Sequence, residues 1–253
     1  MDELLDQSYE TCRRMHRRHD PTYYWATRRL PREIRPATHA LYGYVRTADE
    51  IVDGPGRPVS TEARRAALDA WERELHDGLA QGRSPDPVVG ALVDAGRRHR
   101  LPLGELRAYM GSMRVDCSPV RIETWDELVT YMEGSAGSVG RIMAPLLGVP
   151  EDHHAGFGRL GLAFQHANFI RDVREDRRLD RIYLPGEDRR RFGVADAAVE
   201  AAPASVRPGI RLACAIYLGV LDRVEAIGYD VLGRRPRLPA WQLPLVALAA
   251  LKR

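Results

Sequence analysis

The sequence predicts an all-α fold, and three observations carry that expectation. Apolar residues recur at helical spacing through long stretches, strand signals are nearly absent, and helix-start signals stand in front of the periodic runs. Asp20-Pro21 reads as an N-cap followed by a proline in the first turn, where its missing N–H leaves no bond unmade. A further helix begins after Leu30-Pro31 and covers about 33 to 53. Stretches at about 61 to 81, 87 to 99 and 103 to 116 follow, set apart by Gly/Pro-rich joints such as DGPGRP and GRSPDP. Thr124-Trp125-Asp126-Glu127 is a capping box that opens a stretch to about 147, with Leu128, Val129, Tyr131 and Met132 as its apolar run. Beyond the joint LGVPEDHH the periodicity resumes at about 151 to 178, 205 to 230 and 238 to 252.

None of these joints is long enough to be a domain linker, and no repeat or low-complexity tract interrupts the chain. At 253 residues the chain is near the size at which one core stops growing, so a single domain over residues 1–253 is expected. The formal net charge is +3, and the basic side is almost all arginine, with Lys252 the only lysine. A GC-rich genome accounts for that bias. A nucleic-acid partner would need a basic stripe, whereas Arg13-Arg14, Arg17-Arg18, Arg28-Arg29 and Arg189 to Arg191 are scattered among acids, so none is expected.

Cys12, Cys117 and Cys214 are odd in number and widely spaced, which suggests neither a disulfide framework nor a zinc site and fits a reducing, cytoplasmic compartment. The amino-terminal stretch is charged throughout and lacks the apolar run of a signal peptide. The closing LPLVALAALKR is apolar but far short of the roughly 20 residues needed to span a bilayer. It reads as a buried last helix, with peripheral membrane contact as the alternative. The oligomeric state is not legible.

Two polar stripes point to chemistry. Gln165, Asn168, Asp172 and Asp176 fall on one helical face, within roughly 80° of one another, while Phe164, Phe169, Ile170 and Val173 supply apolar flanks. Tyr42, Arg46, Asp49 and Asp53 repeat the device far away in the chain, flanked by Leu41, Val45, Ala48 and Val52. A lone pair of aspartates one turn apart is ordinarily a solvated face. Two such pairs, each with an arginine and neutral polar groups, could face each other across a bundle. Mg²⁺ prefers hard oxygen ligands and is usually held by one or two carboxylates together with substrate phosphates. Opposed stripes could hold Mg²⁺ around a diphosphate and draw it off as a leaving group, with Arg46 and Arg171 steering it. The allylic cation left behind would need a dry, apolar cavity. A carboxylate-bridged di-iron bundle needs a Glu-x-x-His on each of two helices. Glu151 to His154 is the one such motif, at a helix start after a proline, so that reading is discounted.

YGYVRTADEIVD and FQHANFIRDVREDRRLDRIYLP resemble the two aspartate-rich signatures of the squalene/phytoene synthases, which join two prenyl diphosphates head to head. The resemblance runs from about Tyr23 to Leu238 and includes YMEGSAGSVG, RIYLP and GYDV. It implies an isoprenoid synthase helical bundle around a central cavity and dependence on Mg²⁺, with Mn²⁺ as a substitute. By that resemblance Asp49 and Asp53 match the first metal-binding pair, and Asp172 and Asp176 the second. Tyr42, Arg46, Gln165, Asn168, Arg171, Arg181 and Tyr183 match positions lining the diphosphate and cation sites, and Tyr131 matches a pocket tyrosine. Gly134, Ser135, Ala136 and Gly137 match a segment where side chains give way to a prenyl chain, a feature that close helix packing would equally produce.

The departures bear on product and acceptor. Glu50 stands where a second adjacent aspartate is common. Pro21 replaces a basic residue ahead of the hydroxyl residue Thr22, which puts one diphosphate contact in question. His166 replaces an apolar residue and lies about 100° off the stripe, where a histidine is more often packed than catalytic. The expected reaction is head-to-head condensation of farnesyl or geranylgeranyl diphosphate toward carotenoid or hopanoid precursors, with NADPH required only for squalene-type chemistry. Transfer of one prenyl group to an aromatic acceptor and a non-catalytic assembly role are the alternatives. The second of these has no need for four aspartates.

Overall fold

A computed structural model of the chain describes residues 2–184, 202–212, 223 and 226. Nine named helices are described: α1 Asp2–His19, α2 Pro21–Thr27, α3 Arg35–Asp53, α4 Thr61–Gln81, α5 Pro87–His99, α6 Leu106–Val115, α7 Trp125–Met132, α8 Ser138–Leu146 and α9 His154–Arg178. Helical backbone also runs over 207–212, within the stretch expected from 205. The expected helix at 238–252 and the GYDV segment lie outside the described residues.

Local chemistry sets the helix ends. Asp20 caps α2 by accepting from Tyr23 N at 2.8 Å, Ser60 caps α4 through Ala63 N, and Asp86 caps α5 through Val88 N and Val89 N. The Thr124 capping box forms as expected, with Glu127 reaching back to Thr124 N. Helix α4 stops at Gly82 with φ of 70°, a left-handed conformation that glycine adopts without a Cβ penalty.

Two features depart from the sequence reading. The charged amino terminus forms helix α1, whose inward face buries Cys12 and His16 fully and packs Tyr9 and Met15 beside them. Tyr, Cys, Met and His on that face, among many charges, are weaker apolar signals than a run of Leu, Ile or Val. The stretch 124 to 147 is also not one α-helix. A wide π turn over Glu133–Gly137 separates α7 from α8, the kind of local widening that often marks functional sites.

The elements pack into adjoining apolar clusters. Helices α1, α3, α4, α5 and α6 enclose Tyr44, Leu68, Leu92, Leu106, Tyr109 and Met110. A second cluster joins Leu30 to Ala144, Phe157, Leu160, Val206 and Ile210. The third holds Leu128, Tyr131, Met132, Phe169 and Tyr183. Helix α8 lies along α9, and α1 lies against both α3 and α5. Two short strands, β1 Val120–Arg121 and β2 Arg181–Ile182, pair in parallel, with Val120 opposite Arg181. This pairing turns the chain back after α9 and delivers Arg181 to the acid end of α3.

Candidate active site

Helices α3 and α9 stand on opposite sides of a cavity of about 300 Å³. Tyr42, Val45 and Asp49 line it from α3, and Phe164, Gln165 and Asn168 line it from α9. Asp20 closes the polar end from the start of α2. Away from these groups the wall is apolar, built from residues such as Leu30, Val139, Met143, Leu147, Phe157 and Leu160. The cavity is therefore polar at one end and hydrocarbon-like along its length.

The small residues behind the π turn divide their work. Ser135, Ala136 and Gly140 face the cavity. Gly134 and Gly137 face neighbouring elements instead: a Cβ at Gly134 would come within 2.8 Å of Ala108 O, and one at Gly137 within 2.9 Å of Leu162. Gly161 on α9 permits the same closeness from the other side, since its Cβ would meet Ala136 O at 2.5 Å. Close packing accounts for Gly134 and Gly137, while Ser135 and Ala136 are the residues of the segment that line the cavity.

The acids of the two stripes share one electrostatic space. Asp49 accepts from Tyr109 Oη at 2.7 Å, and its remaining surface faces the cavity. Burial raises its pKa to about 7, with Asp53 and Asp116 adding to the rise and Tyr109 and Arg46 opposing it. Asp176 is raised to about 8, first by burial and then by Asp172, Asp53 and Asp116, against the pull of Arg181. Carboxylates from α3 and α9 thus feel each other directly. Arg181, 5% exposed, donates to both oxygens of Asp53 at 3.0 and 2.5 Å. Arg171 holds its neighbour Asp172 through Nε at 2.9 Å and through Nη2.

Arg46 pairs with Glu50 one turn later, and His19 lies 3.4 Å from the same carboxylate, so Glu50 is engaged away from the cavity. The Nε of Arg46 and the Oδ1 of Asn168 are buried with no partner among the described residues. Leaving a buried guanidinium N–H unpaired costs on the order of 1–3 kcal/mol. The guanidinium N–H has room for an acceptor, whereas the amide oxygen of Asn168 takes a donor or a cation.

Sequence reasoning missed three groups. Asp116, 7% exposed, accepts from Tyr131 Oη at 2.5 Å and Tyr183 Oη at 2.7 Å, while its own carbonyl accepts from Arg181 at 2.7 Å. Burial lifts Asp116 to about 6. Tyr131, Tyr183 and Arg181 are therefore brought together behind the acids, outside the lining of the cavity itself. Tyr109 and Asp20 are the other two. Asp20 feels both Arg171 and Arg46, and burial raises its pKa. No spacing in the sequence links these residues to the stripes, because each reaches the site from a separate element. Thr22 does not line the cavity, although its neighbours Asp20 and Tyr23 do. His166 is 5% exposed and packs edge-on against Trp125 at 5.3 Å, which supports the packed reading.

The squalene/phytoene synthase family model matches residues 16–206. This chain belongs to that family. The chain is 31% identical to the 15-cis-phytoene synthase of Synechococcus elongatus, covering 97% of this chain and 94% of the relative. It is 32% identical to the phytoene synthase of Thermus thermophilus, covering 99% and 96%. A squalene synthase structure from Alicyclobacillus acidocaldarius superposes with a TM-score of 0.65 at 29% identity, over 97% of this chain and 91% of that one. A dehydrosqualene synthase structure with bound ligand shares the fold, with a TM-score of 0.84 at 23% identity over 98% and 96% of the two chains. Membership makes this squalene/phytoene synthase relative a prenyltransferase with the helical isoprenoid synthase fold. Among its described residues no helix is long and apolar enough to cross a membrane.

Proposed function

We propose that this chain condenses two prenyl diphosphates, farnesyl or geranylgeranyl, head to head with release of diphosphate, toward a carotenoid or hopanoid precursor. The observation that carries the reading is one cavity lined by Tyr42 and Asp49 of the first stripe and by Gln165 and Asn168 of the second, its remaining wall apolar. Asp53, Asp172 and Asp176 lie off that lining, and Asp53 and Asp172 both raise the pKa of Asp176. The phytoene synthases among its relatives support it.

The donor set suits Mg²⁺, or Mn²⁺ in its place: all hard carboxylate oxygens, with burial first and neighbouring acids second raising Asp49 to about 7 and Asp176 to about 8. Among the described residues no three His, Cys, Asp or Glu groups are close enough to hold a metal ion unaided. A cation there would need further oxygens, such as those of a diphosphate. Asp49, Asp53, Asp172 and Asp176 would hold it together with diphosphate oxygens, and it would supply charge neutralisation for the leaving group. Arg46, through its unpartnered Nε, and Arg171 bind and orient the diphosphate, a task suited to the guanidinium fork. Gln165, Asn168 and Tyr42 set the polar end of the cavity, and the apolar wall keeps water from the allylic cation. NADPH enters only if the product is reduced as in squalene-type chemistry.

A second reading has one observation in its favour. Pro21 stands where a basic residue would add a diphosphate contact, and Asp20 and Tyr23, not Pro21 or Thr22, line the cavity from this segment. An enzyme transferring one prenyl group to an aromatic acceptor needs a single diphosphate site. Counting diphosphate released per molecule of product separates the two: head-to-head condensation releases two for each hydrocarbon, and acceptor prenylation releases one. Release of one diphosphate per product, only when an aromatic acceptor is supplied, would replace the first reading with the second.

A further inference from the structure

We infer that His16 and His39 form a positioning pair for Tyr42, fixing the aromatic wall at the acid end of the cavity by a hydrogen bond buried behind it. The role deepens the reading above and rests on it.

His16 on α1 and His39 on α3 place their Nδ1 atoms 2.9 Å apart. His16 is fully buried and His39 is 5% exposed. At that separation one Nδ1 donates and the other accepts, so at least one ring is neutral. Burial lowers both, to about 3 for His16 and about 4 for His39, so the pair brings no positive charge near an allylic cation. His16 then stacks face to face on Tyr42, with ring centroids 3.9 Å apart and planes 7° from parallel. Tyr24 stacks on His39 at 5.5 Å, and Tyr23 lies over His16 at 6.1 Å.

Tyr42 and Tyr23 line the cavity, whereas neither histidine does. The pair therefore acts through the tyrosines. Apolar rings would fill the space between α1 and α3, and they would avoid the buried His16 Nε2, which has no partner among the described residues. A hydrogen bond adds what apolar packing lacks, a fixed ring orientation. Tyr42 keeps its proton, because burial and then Asp20 raise its pKa. The pair thus presents a neutral phenol in one orientation beside Asp49.

The test uses the full chain with 3-fluorotyrosine placed at position 42 and the variants His16→Phe, His39→Phe, His39→Gln and the double His16→Phe/His39→Phe. With farnesyl or geranylgeranyl diphosphate and Mg²⁺, each single phenylalanine variant is expected to lose about tenfold to a hundredfold in kcat, the scale of a small misplacement, with KM changed less than about twofold. The double variant regains melting temperature but not kcat. His39→Gln, whose amide can still bond His16, keeps more kcat than His39→Phe. The fluorine resonance, read without substrate, shifts or broadens in both single phenylalanine variants. An unchanged resonance, or a double variant that regains kcat together with stability, overturns the pair's role. If the wild type turns over no prenyl diphosphate, the reaction assigned above fails, and the fluorine signal still judges the pair.

Discussion

Arg181 closes on Asp53 from 128 residues away, donating to both carboxylate oxygens from a strand that follows the second acid stripe. The first stripe is therefore partly neutralised by the strand that follows the second. A planar fork makes this possible, and a lysine of equal charge could not span both oxygens. Arg181→Lys is expected to keep its circular dichroism spectrum and to lose about tenfold or more in turnover. Unchanged turnover would show that charge alone suffices at this position.

Arg46 is held by Glu50 yet leaves its Nε buried and without a partner among the described residues. If that nitrogen awaits diphosphate, Arg46→Lys should lower kcat/KM for the prenyl diphosphate by about tenfold or more, on the scale of a lost charge-assisted hydrogen bond. Glu50→Gln, which removes only the intrachain pair, should cost far less. Steady-state kinetics of the two variants decide the matter, and equal, small effects would reduce Arg46 to a helix salt bridge.

Asp176 carries an opposing demand of stability and function. Its folded pKa, about 8, lies above the ordinary carboxylate value, so the native state holds a proton that the unfolded chain has released. Its contribution to stability is present at low pH and is lost as pH rises through about 8. Asp176→Asn removes that loss. The ligand-free variant should melt higher than wild type at pH 9, with the difference shrinking towards pH 4, while turnover falls by about a hundredfold or more. Thermal melts at both pH values with parallel kinetics provide the check; a lower melting point at pH 9 would contradict the electrostatic account.

Helices α2 to α6, α9 and the two stripes were legible because they depend on local spacing. Asp20, Ser60, Asp86 and Thr124 each cap the helix they precede, and the face shared by Tyr42, Asp49, Gln165 and Asn168 follows from 100° per residue. Asp116 and Tyr109 were not legible. They reach the acids from around α6, and only the β1–β2 pairing and the packing of α6 on α3 bring them there. The π turn was hidden for a related reason. Glycine, serine and alanine in sequence suit close packing and a cavity wall alike, and the packed neighbours Ala108, Leu162 and Phe157 decide which residue does which.

The most direct measurement is product analysis with one organic substrate. Purified protein, Mg²⁺ and either farnesyl or geranylgeranyl diphosphate, with no acceptor added, should yield inorganic diphosphate and a hydrocarbon of twice the donor's chain length. Asp172→Asn should yield about a hundredfold less at the same Mg²⁺ concentration. A folded wild-type sample that forms no dimeric hydrocarbon from either donor, with Mg²⁺ in excess, would contradict the head-to-head account.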